Sequence, residues 1–302
     1  MGTLFSTGKL LLTSEYVVLD GALSLAVPTK VGQDLIFEEV NDGNSTIIWE
    51  GFHENKPWLK IKFNYKNWQI LETDLPESAN FILKVLQLVQ QFSSTKFQES
   101  TSYHFKTNLQ FPANFGLGSS STLMNNLANW ANIDAFVLND SILGGSGYDV
   151  AVAQERSAIL FKKEKNESRF IERIEFKPNF CEDLIFIHLN KKQNSREGIA
   201  LYKSKTRSEI LLDRFSEITK KVIFAKTLEE FSLLMILHER LLSEFLDILT
   251  AKEKYFQDCP VFIKSLGAWG GDFILSAKFV GYEKYFKSKG FPTIIEWIDL
   301  ID

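Results

Sequence analysis

The stretch Phe111-Pro112-Ala113-Asn114-Phe115-Gly116-Leu117-Gly118-Ser119-Ser120-Ser121-Thr122 constrains this chain more than any other, because it hands a strand over to a helix through a glycine-hydroxyl loop. Upstream, Tyr103, Phe105, Leu109 and Phe111 fall on alternate positions, the period of a half-buried strand. Downstream, Leu123, Leu127, Trp130 and Ala131 recur at helical spacing. Glycines in such a loop let the backbone approach a ligand closely. The N–H groups of a helix start, together with the positive end of its dipole, favour a bound phosphate. The hydroxyls of residues 119–122 add donors and a candidate Mg2+ ligand. The pattern points to nucleotide phosphate binding, with simple capping of a helix as the plainer alternative.

Bulk properties narrow the classes. A chain of 302 residues, 45% hydrophobic and 24% charged, can bury a sizeable core. Net charge is -4 with no basic run, so no nucleic-acid partner is expected. Cys181 and Cys259 lie far apart and without neighbours at metal-ligand spacing, which argues against a disulfide framework or a zinc site. No 18-residue window is uninterruptedly apolar, and no signal-peptide pattern opens the chain, so neither a membrane partner nor export is expected and the cytoplasm is the expected location.

Periodicity predicts strands at 10–12, 16–19, 23–27 and 34–40, with Asp20-Gly21 as a turn, then strands at 45–49 and 58–65 joined across 51–57. An amphipathic helix follows at 78–92, carrying Phe81, Val85, Leu88, Val89 and Phe92. Further strands are predicted at 158–161, 170–176 and 183–189, with the charged segment 162–173 as a turn or domain junction. Residues 206–250 read as helical. Thr227-Leu228-Glu229-Glu230 forms a capping-box signature, and Phe231, Leu234, His238, Leu241, Leu242 and Phe245 share a face. His238-Glu239 lacks the second histidine of a zinc-binding helix.

The loop resembles the second motif of the GHMP kinase superfamily, in which a proline and three further residues precede Gly-Leu-Gly-Ser-Ser; Pro112 and residues 116–120 sit where that pattern needs them. Phe5-Ser6-Thr7-Gly8-Lys9 and the following residues to Gly21 resemble its first motif, with Lys9 and Glu15 at the spacing of the Gly-Lys pair and its glutamate. Ser146-Gly147-Tyr148-Asp149 is similar to the family's Ser-Gly-x-Asp segment, in wording closest to phosphomevalonate kinases. Lys264-Ser265-Leu266-Gly267-Ala268-Trp269-Gly270-Gly271-Asp272 resembles the third motif, with Trp269 where a glycine is usual. Two departures stand out: 30 residues separate Ser119 from Asp149, fewer than the family usually has, and no glutamate lies between them.

The resemblance implies an α/β (α+β) chain with the GHMP kinase two-domain fold: an N-terminal ATP-binding domain, 1–165, like domain 2 of ribosomal protein S5, and a ferredoxin-like C-terminal domain, 166–302. It implies ATP and Mg2+ as cofactors and transfer of the γ-phosphate to mevalonate or phosphomevalonate, a small acidic alcohol or phosphate acceptor, by a monomer or homodimer. By the same resemblance Gly116, Leu117, Gly118, Ser119, Ser120 and Ser121 hold the ATP phosphates, with Ser120 the metal ligand. Lys9 stabilises the transferring charge and Asp149 accepts or orients the acceptor proton. Glu15, Ser146, Lys192, Ser195, Arg196, Gly267, Ala268 and Gly270 face the acceptor. Read as residues alone, Lys9 and Glu15 fit a surface lysine and a turn glutamate, Asp149 fits a helix cap, and residues 190–198 fit a solvated loop. The alternatives are a catalytically silent relative that binds a nucleotide or a partner and, ranked lower, an enzyme like the mevalonate diphosphate decarboxylases.

Overall fold

The period-two patterns of the first hundred residues become strands. β1 (Gly2–Leu11), β2 (Ser24–Asn41), β3 (Thr46–His53), β4 (Lys56–Asn64) and β5 (Gln69–Thr73) lead to helix α1 (Pro76–Phe92) and strand β6 (Thr101–Leu109). Three helices follow: α2 (Ser119–Ala131), α3 (Ala135–Ile142) and α4 (Tyr148–Glu155). The computed structural model describes residues 1–97, 100–190, 195–267, 269 and 272–301. Its contacts gather into two units, one of Met1–Gly8, Val31–Ala113 and Gly118–Arg156, the other of Lys9–Lys30, Asn114–Leu117 and Ser157–Asp302.

In the first unit, the second half of β2 pairs antiparallel with β6, β6 runs parallel to β3, and β3-β4-β5 continue antiparallel. Leu35, Ile47, Trp49, Leu59, Ile61, Phe63, Tyr103 and Phe105 share one face, which α1 and α2 cover. Glu50 and Lys60 are exposed, the alternation of a sheet with one solvated face. Phe105 meets the α2 residue Trp130 edge-on at 4.7 Å, and Trp49 lies 5.3 Å from Phe105. The connection expected over 51–57 contracts to a two-residue turn in which Glu54 (φ 48°) and Asn55 (φ 65°) are both left-handed, as a type I′ hairpin requires.

In the second unit, the Ser24 to Ala26 part of β2 pairs with β7 (Ala158–Lys163), which pairs with β8 (Arg169–Ile174). The charged segment 162–173 is therefore mostly hairpin. β9 (Leu184–His188) follows, then helices α5 (Ser195–Ser204), α6 (Glu209–Phe224), α7 (Leu228–Leu246) and α8 (Ala251–Tyr255). Strands β10 (Ile263–Ser265) and β11 (Phe273–Ala277), helix α9 (Tyr282–Ser288), strand β12 (Ile294–Glu296) and helix α10 (Trp297–Leu300) complete the chain. The sheet order β10-β11-β9-β12, antiparallel throughout, is the order of a ferredoxin-like β-α-β-β-α-β unit. Its core gathers Ile185, Ile187, Ile274, Phe256, Phe286 and Phe291.

Two local expectations are corrected. Residues 16–19 form no strand; Val17–Asp20 is a 3-10 helix. Ser14 (φ 67°) and Tyr16 (φ 64°) both leave the extended region, so the β-branched pair Val17 and Val18 serves burial in a tight turn. The capping box on α7 is half formed: Thr227 accepts from the Glu230 N–H at 3.1 Å, but the Glu230 carboxylate accepts from Lys226 N. A complete box stands on α8, between Thr250 and Glu253. No helix among the described residues is long and apolar enough to cross a membrane.

The aromatic centre of the first unit sets a stability test. Phe105→Ala removes a ring that is fully buried against Trp49 and Trp130, and should lower the urea unfolding free energy by about 3–5 kcal/mol. Lys66→Ala, on an exposed side chain, should change it by less than about 0.5 kcal/mol. A Phe105→Ala effect as small as the control's would contradict this packing.

Candidate active site

Within the first unit, α2 begins at Gly118, whose φ of 87° is left-handed, and no side chain caps the helix start. A left-handed N-cap suits glycine, which has no Cβ to strain. The hydroxyl run divides in two. Ser121 Oγ donates to the Gly118 carbonyl at 2.9 Å and Thr122 Oγ1 to Gln33 Oε1 at 2.8 Å, so these two build the helix start. Ser119 and Ser120 are half-buried at its first turn, which carries no acidic residue. Further along α2, Asn126 donates to the Gln33 carbonyl at 2.8 Å and accepts from Ser6 Oγ at 2.8 Å. Asn125 Nδ2 reaches both Ser6 Oγ (2.8 Å) and the Ala153 carbonyl of α4 (3.3 Å). This buried asparagine pair was not singled out from the sequence, although two adjacent amides within an apolar helix were its visible sign.

α4 starts in the same way, at Gly147 (φ 91°) without a side-chain cap, after the left-handed Gly144 and Gly145. Ser146 is buried and its Oγ accepts from Tyr148 N at 3.4 Å. Asp149 is half-buried in the first turn, on a helix packed against α2.

The second unit holds the other candidates. Lys9 is buried, and its backbone N–H donates to the Leu117 carbonyl at 3.0 Å. Glu15 is 1% exposed between the left-handed Ser14 and Tyr16. Lys264 Nζ donates to Glu15 Oε1 at 2.5 Å and to the Ser265 carbonyl, and lies 3.7 Å from Glu239 Oε2. Glu239 accepts from Ser265 N (3.0 Å) and Oγ (2.7 Å). His238 Nε2 accepts from Ser14 N at 2.6 Å, so the ring is neutral with its proton on Nδ1, and Nε2 stands 3.4 Å from Glu15 Oε2. Two buried carboxyls thus share one ammonium. Burial outweighs the attraction of Lys264 and raises Glu15 to about 7, and burial raises Glu239 as well. Burial, then Lys264, hold His238 well below the usual histidine value.

Glu15, expected to face the acceptor, is therefore placed inside an ion-pair cluster. Trp269 is 5% exposed, and its backbone N–H donates to the Tyr16 hydroxyl at 3.0 Å. Tyr16 stacks at 6.1 Å on Tyr202 of α5, whose hydroxyl donates to Asp20 Oδ2 at 2.6 Å. Gly116 and Gly267 are left-handed, and a Cβ on Gly116 would meet the Asp272 carboxylate. Lys192, Ala268 and Gly270 lie outside the described residues. Ser195 and Arg196 open α5, with only their backbone described. His188 of β9 was also missed by sequence reasoning. It is 2% exposed, and Nε2 faces the Asn114 carbonyl at 3.2 Å. Its sign in the sequence was a lone histidine within Ile185-Phe186-Ile187-His188-Leu189. No group of three or more His, Cys, Asp or Glu able to hold a metal occurs among the described residues.

The cluster gives stability a two-sided pH dependence. The folded chain holds the Glu15 proton above the ordinary 4.5, so this contribution is present at low pH and is lost as pH rises from there to about 7. His238 acts oppositely: the folded chain refuses a proton that the unfolded chain accepts, so stability falls as pH drops below 6.5. Glu15→Gln removes the first dependence. Its unfolding free energy in urea, relative to wild type, should rise between about pH 5 and about pH 8. An unchanged difference over that range would show that Lys264, and not burial, governs Glu15.

No family model and no curated protein sequence matches this chain. Solved structures do. The Streptococcus pneumoniae phosphomevalonate kinase, in complex with phosphomevalonate and AMPPNP, aligns at 16% identity over 98% of this chain and 100% of its own, with a TM-score of 0.72. The L. major mevalonate kinase in complex with R-mevalonate aligns at 16% identity over 98% and 95%, with a TM-score of 0.72. The Lactococcus lactis galactokinase complexed with galactose aligns at 14% identity over 97% and 92%, with a TM-score of 0.68. The likeness runs nearly end to end in all three, and the chain has the GHMP kinase fold.

Proposed function

We propose that this protein is an ATP- and Mg2+-dependent small-molecule kinase of the GHMP type, phosphorylating mevalonate or phosphomevalonate in isoprenoid precursor synthesis, in the cytoplasm, as a monomer or homodimer. The observation that carries the reading is the start of α2: a left-handed glycine, no side-chain cap, no acidic residue in the first turn, and two half-buried serines. Uncapped N–H groups at the positive end of a helix dipole suit a nucleotide's phosphates. The neighbour solved with AMPPNP, an ATP analogue, supports the choice of nucleotide.

On this reading both cofactors sit at the glycine loop. Residues 116–121 hold the triphosphate through backbone N–H groups and the Ser119 and Ser120 hydroxyls. Mg2+ keeps several waters and binds largely through substrate phosphate oxygens, and the Ser120 hydroxyl is the ligand this reading assigns to it. When bound, the ion supplies neutralisation of phosphate charge. The chain's own work is positioning and charge stabilisation, since phosphoryl transfer asks little covalent chemistry of a protein. Lys9 supplies positive charge at the transferring group. Asp149 takes the acceptor hydroxyl proton as the new O–P bond forms and the bond from the γ-phosphorus to the β,γ-bridging oxygen breaks to release ADP, a role that contributes about 10²- to 10⁴-fold to rate. Ser146, Ser195, Arg196 and the 264–275 segment are assigned to the acceptor, whose carboxylate or phosphate the cations of residues 191–196 complement.

The test is ADP release, coupled to a spectrophotometric readout, with ATP, Mg2+ and mevalonate, phosphomevalonate, homoserine or galactose offered separately. Turnover is expected with mevalonate or phosphomevalonate, and Asp149→Asn should reduce it by about 10²-fold or more. Turnover with another acceptor alone would replace the substrate. Silence with all four, in a protein that binds ATP, would favour a catalytically silent relative.

A further inference from the structure

The residues that lead into the α2 start, Asn114–Leu117, belong to the same unit as β9 and β11. His188 stands at the end of β9, with each ring nitrogen against an oxygen. Nε2 lies 3.2 Å from the Asn114 backbone carbonyl, which can only accept, so Nε2 carries a proton. Nδ1 lies 3.3 Å from Asn190 Oδ1, and that amide is oriented by its own Nδ2, which donates to the Gly290 carbonyl at 3.1 Å. The ring also lies 4.6 Å from Phe115 and 5.1 Å from Phe273, and Phe115 meets Phe273 edge-on at 5.1 Å.

The next two residues are held just as closely. Gly116 is left-handed at φ 69°, in a position where a Cβ would meet the Asp272 carboxylate, and the Leu117 carbonyl accepts from Lys9 N. Four successive residues are thus fixed one by one immediately before the helix. The Asn114 carbonyl is the first of these points, and a peptide that rotates there turns the direction of the N–H groups that follow.

We infer that His188 is a positioning residue for phosphate binding: by donating from Nε2 to the Asn114 carbonyl, and holding Phe115 against Phe273, it presets the glycine loop for a nucleotide's phosphates. This rests on the kinase reading above. His188 touches neither nucleotide nor acceptor in this account. It acts through the loop backbone, so its loss weakens nucleotide binding and leaves the acceptor's affinity alone.

The experiment measures binding of AMPPNP with Mg2+ by calorimetry, together with the KM of ATP and of the acceptor, on the full chain and three variants. His188→Phe keeps a ring and loses the donor; its AMPPNP Kd and ATP KM should rise about tenfold, with the acceptor KM within about twofold of wild type. His188→Gln restores a donor toward Asn114 and should recover most of that loss. Asn190→Ala, on an exposed residue, removes the side chain that abuts the Nδ1 edge of the ring and should raise the AMPPNP Kd about threefold with an unchanged thermal midpoint, which keeps the test decisive should His188→Phe fail to fold. Three results would overturn the inference: AMPPNP binding like wild type in His188→Phe or in Asn190→Ala, a lower thermal midpoint in His188→Phe with an unchanged ATP KM, or no recovery in His188→Gln. Wild-type protein that fails to bind AMPPNP at all would overturn the kinase reading itself, a result visible before any variant is made.

Discussion

The start of α2 is the constraint on which the other features depend. A helix leaves its first N–H groups without intrahelical partners, and most helices satisfy them with a side-chain cap. Here the cap position is a left-handed glycine and no side chain fills it. The same run of hydroxyls that could have capped the helix is partly diverted, with Ser121 turned back to Gly118 and Thr122 to Gln33. Such an end is useful only if it is held still. The buried Asn125 and Asn126 amides do this through Ser6, Gln33 and Ala153, where a mismatch would leave polar groups unpaired inside the protein. α4 repeats the arrangement at Gly147, with Asp149 in its first turn.

The second unit is organised around a different constraint, a lysine with no exposure. An ammonium removed from water is costly unless its partners are close. Lys264 has Glu15, the Ser265 carbonyl and, more distantly, Glu239. These partners come from the turn after β1, from α7 and from β10, so the ion pairs specify how three remote segments meet. The left-handed Ser14 and Tyr16 are the local consequence of turning Glu15 inward, and backbone of this kind persists only where its surroundings over-determine it. Tyr16 then carries the constraint outward, to Trp269 through its hydroxyl and to Tyr202 through its ring.

Much of this was legible in the residues because the deciding information was local. Alternation identified β4 through Leu59, Ile61 and Phe63, and the glycine loop announced the handover into α2. Helix α1 was found with its stripe slightly turned: Ile82 and Leu86 are buried, whereas Phe92 is 40% exposed. What escaped was non-local. Residues 16–19 carry strand propensity, but an ion pair between residues 249 apart in sequence decides their backbone. Trp269 looked like a fault in a glycine motif, and its side chain is instead buried while its backbone N–H donates to the Tyr16 hydroxyl. His188 was unremarked because its partners, Asn114 and Phe115, lie some seventy residues upstream. Motifs name residue types at spacings; they do not reveal which side chains hold the motif in shape.

The central claim is that the uncapped start of α2 and its glycine loop bind the phosphates of a nucleotide. The most direct measurement is a calorimetric series with ATP, ADP and AMP, each with Mg2+, on the same preparation. The account predicts saturable binding of ATP, with affinity falling by at least about tenfold from ATP to AMP as phosphates are removed. Equal affinity for ATP and AMP, or no binding of ATP, would contradict it.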